Sequence, residues 1–272
     1  MLTLWKYVFA HANASLIITV QRMAIPAILR SVFTRNKVLV VFHHYDSREK
    51  LSLFYHLNAW VLFKLLSAAP STVRVVVVAD FWISFLLAKG VPASVIIHVP
   101  NLFDTGKYQA DKSILKNDKQ VYFGQYSAKQ HASVFELITR LSAQGYECFF
   151  TTPYGNETGT EKNVNVMHLK FDEYLEKMAS SSYTVCLGAF NEGWNRVAHE
   201  SLLCNTSVIG NASGGLADLL NQSGQFLVAD SNEAYDVITR NRKKEINAEF
   251  LKRYDLSQIS YHAKPIIDFC IS

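Results

Sequence analysis

The sequence predicts an α/β protein of two domains, each a parallel sheet flanked by helices. Three observations carry this. Short runs of β-branched apolar residues recur along the chain, amphipathic stretches of helical period separate them, and 272 residues exceed what one compact core usually serves. A composition of 49% hydrophobic and 18% charged residues can fill two cores. It excludes disordered, collagen-like and disulfide-scaffold classes.

In the first half, strands are expected at Leu16–Val20, Val38–Phe42, Val73–Val78 and Val95–Val99. Helices fit between them at Ile25–Phe33, with Pro26 in the first turn, at Leu51–Leu66, and at Phe81–Lys89, closed by Gly90. The second of these sets Tyr55, Trp60 and Phe63 beside Lys64 and reads either as a helix packed on its sheet or as an interfacial surface. From Thr105 to Gln120 the chain turns polar without apolar period, which reads as a domain linker.

A second α/β run follows. Its strands are expected at Val121–Gly124, Cys148–Thr151, Val164–Met167, Tyr183–Leu187 and Ser207–Gly210. Its helices are expected at Ser133–Gln144, Phe171–Ser180, Asn195–Leu203 and Gly215–Asn221. These limits give domains at 1–113 and 114–255, with 256–272 a carboxyl-terminal segment packing back on the amino domain. Two such Rossmann-like halves place a ligand cleft between them, at the carboxyl ends of the strands.

The net charge of +4 is too mild for a dedicated nucleic-acid binder. It suits a phosphate-bearing small molecule or an anionic membrane surface. Cys148, Cys186, Cys204 and Cys270 lack metal-ligand or redox spacing and read as free thiols in a reducing compartment. Ala12-Asn13-Ala14 looks like a signal-peptidase site, but Lys6 interrupts the apolar run and a basic leader is missing, so an unprocessed chain is expected. No stretch reaches the roughly 20 apolar residues of a membrane span.

The stretch from Phe190 to Gly210, followed by Gly214-Gly215, leaves a strand and opens a helix. Backbone N–H groups near Trp194, Asn195 and Arg196 would then face an anion, with the helix dipole adding to the attraction; a diphosphate fits there. Glu200, about a turn and a half further on, can accept two hydrogen bonds from a ribose diol. Glu192, before the helix, can do the same for sugar hydroxyls. Two glutamates eight apart are a common coincidence, and only their setting makes them informative.

In that setting the chain resembles the carboxyl domain of the GT-B glycosyltransferases, in particular the large retaining family 4, whose mark is Glu, seven residues, Glu. The mark falls on Glu192 and Glu200, and the Glu192-Gly193-Trp194 opening, the Glu200-Ser201-Leu202-Leu203-Cys204 helix end and the Val208-Ile209 strand are also similar. Val121 to Lys129 is similar to the first strand and loop of that domain, where a Gly, an Arg and a Lys surround the donor diphosphate. Gly124 and Lys129 match, whereas Gln125 stands where the family usually has Arg. Val99-Pro100-Asn101-Leu102-Phe103-Asp104 is similar to the family's Pro-Asn-Gly-x-Asp end of the amino domain, and His168-Leu169-Lys170-Phe171 falls at its base-recognition loop. The amino half resembles the family only in outline and is shortened. Gln21-Arg22 stands where a His is expected, and His43, beside His44 and Asp46, aligns with a second His position.

The resemblance implies the GT-B fold, with an acceptor-side domain over 1–113 and a nucleotide-sugar-binding domain over 114–255. It implies sugar transfer, with retention, from a UDP- or GDP-sugar donor to a saccharide or lipid-linked acceptor. The implied setting is cell-surface polysaccharide biosynthesis at the cell envelope, in the cytoplasm or as a peripheral membrane protein on the inner face of the plasma membrane. Neither a metal, another cofactor nor nucleic acid is implied. The catalytic candidates are His43, His44, Glu192 and Lys129; the donor-binding ones are Gly124, Gln125, Lys129, Lys170, Glu192, Gly193, Trp194, Asn195, Arg196 and Glu200. The departures at Gln21-Arg22 and Gln125 leave a second reading, a non-catalytic GT-B-like subunit or glycan-binding partner of another glycosyltransferase.

Other polar residues have plainer readings. His98, His168 and His199 lie on or beside apolar segments and read as structural. Asp46 or Ser47 can cap the helix after the histidine pair. Arg240, Arg242, Lys243 and Lys244 read as a solvated helix face, and Gly214-Gly215 as a close approach to the donor or a loop before the next helix.

Overall fold

The computed structural model describes residues 15–46, 53–108, 114–126, 132–153 and 164–272. Contacts divide the chain into two units, residues 1–101 with 258–272, and residues 102–257.

The first unit is built on four parallel strands lying side by side in chain order, β1 (Leu16–Val20), β2 (Lys37–Val41), β3 (Val73–Val77) and β4 (Ile96–His98). The crossover helices α1 (Ala24–Thr34), α2 (Leu53–Ser67) and α3 (Asp80–Ala88) gather on one face, as right-handed crossovers stepping always the same way require. The central strands are nearly continuous valine because both faces are covered. Val38, Val40, Val75 and Val77, all fully buried, form the helix-facing side, where Phe42 meets the edge of Trp82 at 5.3 Å between ring centroids. Leu39, Val76 and Ile97 face the other way and are covered by the carboxyl-terminal helix Ile259–Ile271 through Phe269. Two cations hold that ring, Arg74 at 4.9 Å and Lys37 at 5.6 Å from its centroid, and Lys37 Nζ also donates to the Cys270 carbonyl at 3.1 Å.

The second unit has six parallel strands, lying in the order β10 (Phe226–Leu227), β9 (Ser207–Gly210), β8 (Ser181–Cys186), β5 (Asn117–Gln125), β6 (Glu147–Thr151) and β7 (Asn165–Met167). In chain order its elements are β5 (Asn117–Gln125), α4 (Ala132–Ser142), β6 (Glu147–Thr151), β7 (Asn165–Met167), α5 (Phe171–Ser180) and β8 (Ser181–Cys186). Then come α6 (Arg196–Leu203), β9 (Ser207–Gly210), α7 (Gly215–Ser223), β10 (Phe226–Leu227), α8 (Ser231–Thr239) and α9 (Ala248–Arg253); the terminal helix of the first unit is α10. The chain steps outward from β5 to β7, then returns to β8 on the other side of β5. The loops leaving β5 and β8 therefore part in opposite directions, and such a reversal opens a crevice at the carboxyl ends of the strands. One face of the sheet buries Val121, Phe123, Leu137, Ile138 and Val237; the other buries Tyr122, Phe149, Leu175 and Met178, together with Phe103 and Tyr108.

Several expectations are corrected. The polar stretch from Thr105 is not a linker throughout, because Phe103 and Tyr108 are core residues of the second unit and β5 already begins at Asn117. The division falls after Asn101 instead of after 113. The main chain there is tied within the second unit, Phe103 N–H to Tyr254 carbonyl at 2.9 Å and Leu256 N–H to Phe103 carbonyl at 2.8 Å. Arg242, Lys243 and Lys244 do not lie on a helix; α8 ends at Thr239, and Lys243 pairs with Asp118 at 2.6 Å while Lys244 donates to the Gln225 carbonyl at 3.0 Å. Leu51, the expected start of the second helix, lies outside the described residues. No helix among the described residues is long and apolar enough to cross a membrane.

Phe269→Ala would remove the ring that closes the second face of the first sheet. The substitution is expected to destabilise the protein by roughly 3 kcal/mol, read as a lower urea midpoint at unchanged slope.

Candidate functional site

The crevice of the second unit is crossed by residues 187–195, between the end of β8 and the start of α6. A second loop, 211–214, fixes this crossing. Gly188 N–H donates to Asn211 Oδ1, and Asn211 Nδ2 donates to the Gly188 carbonyl, each at 2.9 Å. The Ser213 hydroxyl donates to the Phe190 carbonyl, and Gly215 N–H to the Glu192 carbonyl at 2.8 Å. Gly214 sits at φ +58°, ψ −131°, a region open in practice to glycine alone. A Cβ there would lie 2.8 Å from the Glu192 nitrogen and closer still to its carbonyl oxygen. Gly214 thus packs on the backbone that carries Glu192, while Gly215 starts α7.

α6 opens on Asn195, whose Oδ1 accepts the Ala198 N–H at 2.8 Å as an N-cap. The N–H groups of Arg196 and Val197 come before any intrahelical acceptor, so this end carries the partial positive charge of the helix. It faces a cavity of about 280 Å³ lined by Gly124, Gln125, Cys186, Glu192, Asn195 and Arg196.

One turn into α6, Glu200 is 9% exposed and its carboxylate is heavily engaged. Oε1 accepts from the Tyr108 hydroxyl at 3.2 Å and the Arg196 guanidinium at 3.3 Å, and Oε2 from the Tyr174 hydroxyl at 2.8 Å. Burial, and next the neighbouring charge of Glu200, raises the Tyr108 pKa; burial and next Tyr122 raise that of Tyr174. Both phenols therefore stay protonated as donors. A carboxylate has about four acceptor positions, so one remains. Glu200 borders a second cavity of about 410 Å³, lined also by Thr151, Thr152, Leu169, Phe171 and Tyr174. The two cavities share Gln125 and Val197 in their walls and so adjoin.

The structure brings Gly124, Gln125, Glu192, Trp194, Asn195 and Arg196 to one cavity and Glu200 to the next; Gly193 lies in the same crossing loop. Three placements differ from the sequence expectation. The Arg196 side chain turns to Glu200 along the helix. Trp194 is buried, and its indole N–H is directed at His199 Nδ1, 3.3 Å away. Lys170 is exposed and is not among the lining residues; its backbone N–H donates to Glu173 at the start of α5, and Leu169 and Phe171 on either side reach the cavity. Lys129 lies outside the described residues. His43 and His44 belong to the first unit, just past β2, with His43 exposed. The Gln21 amide, where a His was looked for, instead donates to the His44 carbonyl at 2.7 Å.

Sequence reasoning missed Tyr108 and Tyr174, because a tyrosine in a polar stretch and one in a helix carry no pattern that points at a distant carboxylate. Of the three histidines read as structural, His98 approaches Asp80 at 3.5 Å and His168 the Thr152 carbonyl at 3.1 Å. His199 is fully buried and stacks on Phe103 at 4.0 Å between ring centroids. Among the described residues no three His, Cys, Asp or Glu side chains gather into a metal set.

The two parallel α/β units, with the second wound about a β5/β8 switch point, have the architecture of the GT-B glycosyltransferases. No protein-family model matches the sequence, and no curated protein matches it significantly. Among solved structures, HepE of Anabaena in complex with UDP-glucose matches at a TM-score of 0.76 and 18% identity, over 97% of this chain and 82% of that one. The sucrose-phosphate synthase of Thermosynechococcus elongatus matches at 0.72 and 17%, over 99% and 79%. A glycosyltransferase from Rickettsia africae matches at 0.71 and 13%, over 98% and 81%. At such identities the likeness is one of fold.

Gly214→Ala is expected to destabilise the second unit by about 1–3 kcal/mol and to displace Glu192; thermal unfolding gives the first effect and a crystal structure of the variant the second. Burial pushes the His199 pKa down to about 3. The unfolded chain then binds a proton that the folded one refuses between pH 6.5 and 3, so this group withdraws stability as pH falls through that window. His199→Gln, which keeps an acceptor for the Trp194 N–H, should flatten the loss, seen as a smaller drop in urea midpoint between neutral pH and pH 4.

Proposed function

We propose that the chain is a glycosyltransferase that moves a sugar from a UDP- or GDP-sugar to a hydroxyl of a saccharide or lipid-linked acceptor. The observation that carries this reading is the pair of adjoining cavities at the β5/β8 crevice. One is faced by the start of α6 and Glu192, and the other is bordered by Glu200 and Phe171. In this reading the larger cavity takes the nucleoside, with the base against Phe171 and the ribose on the remaining acceptor of Glu200. The diphosphate lies between Gly124-Gln125 and the amino end of α6, Arg196 stays on Glu200, and the family likeness names Lys129 as the neutralising cation. The sugar hydroxyls meet Glu192.

Transfer breaks the bond from the anomeric carbon to the diphosphate oxygen. The electron pair departs on the diphosphate, where the oriented N–H groups and that cation stabilise the charge that develops. The acceptor oxygen forms the new bond and gives up its proton to a base, for which His43 and His44 are the candidates. Gln125 supplies amide donors where a guanidinium would supply charge, so the leaving group relies more on α6. Retention of anomeric configuration and a place in cell-surface polysaccharide assembly belong to the same proposal and rest on the likeness of the Glu192–Glu200 pair to the retaining family. The HepE structures with UDP-glucose, and with UDP and glucose, support a uridine donor as the first to try.

The test is thermal unfolding of the purified protein with UDP, GDP, CMP and their sugar conjugates, alongside Glu200→Gln. A nucleotide at about 100 times its dissociation constant adds roughly 2.7 kcal/mol and should raise the midpoint by several degrees. Loss of the Glu200 charge should weaken that binding by roughly 1.5–3 kcal/mol. Absence of stabilisation by every nucleotide would remove the transferase reading and leave the non-catalytic subunit in its place.

A further inference from the structure

α2 is apolar over more of its surface than the first unit covers. Ala59, Leu62, Phe63 and Leu66 are buried, and the Phe63 ring meets Phe85 at 5.7 Å and Phe42 at 6.1 Å. The opposite side carries Leu53, Phe54, Leu57 and Trp60, exposed to 84, 55, 53 and 57%. Leu53, Leu57, Trp60 and Lys64 follow one another at three- and four-residue steps and form a single stripe along the helix. A helix apolar on all sides is ordinarily enclosed; this one is enclosed on one side. The expected grouping of Tyr55, Trp60 and Phe63 is corrected here, since Phe63 turns inward and Leu53 and Leu57 take its place.

Charge says what fits on that stripe. The first unit has eleven Lys and Arg against four Asp and Glu, a net +7; the second has sixteen against nineteen, a net −3. The cationic excess of the whole chain thus lies in the unit that exposes the apolar stripe. α2 itself contains no acidic residue. At its first turn the Arg22 guanidinium lies 5.5 Å from the centroid of the Tyr55 ring, and Lys64 stands one turn beyond Trp60. A second copy docking through the same stripe would bring two +7 units together, whereas an anionic bilayer matches both the apolar side chains and the charge. At 15 residues α2 is about 22 Å long, too short to cross a hydrocarbon core of about 30 Å but suited to lying in its surface.

We propose that the exposed face of α2 docks the protein on an anionic lipid bilayer, with Leu53, Phe54, Leu57 and Trp60 entering the headgroup boundary and Arg22 and Lys64 reaching lipid phosphates. This deepens the transferase reading, because a lipid-linked acceptor resides in such a surface, and it is measured without reference to the donor.

The full chain is sedimented with vesicles of phosphatidylcholine alone and of phosphatidylcholine mixed with phosphatidylglycerol, at low and raised salt. Binding is expected only to the mixed vesicles and should weaken with salt. The Leu57→Glu, Trp60→Glu double variant, altered only at exposed positions, should bind at least tenfold more weakly, and Lys64→Ala roughly fivefold. Both should unfold at the wild-type temperature and keep the nucleotide-induced shift. Equal sedimentation of wild type and double variant overturns the proposal, as does wild type that ignores the mixed vesicles. So does a wild-type dimer that the double variant dissolves without any vesicle binding, which would make a second copy the occupant. Vesicle binding without a nucleotide-induced shift would remove the transferase reading and leave the docking face standing.

Discussion

Glu200 sets the terms for the second unit. A carboxylate at 9% exposure has given up most of its water, and left unpaired it would cost several kcal/mol. Its partners come from three separate stretches, Tyr108 ahead of β5, Tyr174 in α5 and Arg196 one turn earlier in α6. Hydrogen bonds to an ionised acceptor contribute more than neutral ones, about 1.5–3 kcal/mol each. Satisfying Glu200 therefore also fixes where residues 102–108 must lie. Phe103 follows Tyr108 into the same side of the sheet, stacks on His199 and pairs its backbone with Tyr254 and Leu256. The aromatic packing of Trp194, His199, Phe250 and Tyr254 then closes beneath the start of α6, so the helix end that faces the smaller cavity stands on a dry, rigid base.

The same arrangement explains which parts of the molecule were legible in the sequence. Strands such as Val38 to Val41 and Val73 to Val77 announce themselves because both faces of a parallel sheet must be apolar, and only a run of β-branched residues meets that demand. The α6 segment was legible for a different reason: an Asn at the cap, a following helix and flanking strands define an anion-facing terminus through backbone geometry alone. What escaped were features made by long-range contact. Tyr108 looked like part of a polar linker because it is buried by residues distant in sequence, Leu175, Met178 and Cys204 among them, and its hydroxyl bonds Glu200, 92 residues away. Gly214 could be read two ways until the Glu192 backbone was seen beside it. The stretch from Arg240 to Lys244 looked helical by composition, yet Asn241 adopts φ +48° and turns the chain so that Lys243 and Lys244 reach Asp118 and Gln225.

The two units solve different burial problems with the same type of sheet. In the second, the reversal at β5 and β8 lets helices cover both faces from crossovers alone. In the first, strands added always in one direction put every crossover helix on one face, and the other face needs a cover from elsewhere in the chain. α10 provides it from the far end of the sequence, with Phe269 gripped between Arg74 and Lys37. A cation is well suited to that grip, since its methylene stem packs on the sheet while its charge meets the face of the ring.

That solution has a consequence for how charge is distributed. The first unit packs the Lys37 and Arg74 stems against an aromatic ring, and its eleven basic residues outnumber its four acidic ones, with Lys264 and Asp268 a direct pair among them. In the second unit acidic residues outnumber basic ones, and Lys243 pairs with Asp118 and Lys177 with Glu147. Exposed pairs of that kind contribute little to stability, about 0–1 kcal/mol, but they cancel the field that each charge would project. A cationic excess does project it, across a distance of about one Debye length, near 8 Å at physiological salt. The unit that leaves an apolar helix face open is therefore also the one that carries the cationic excess.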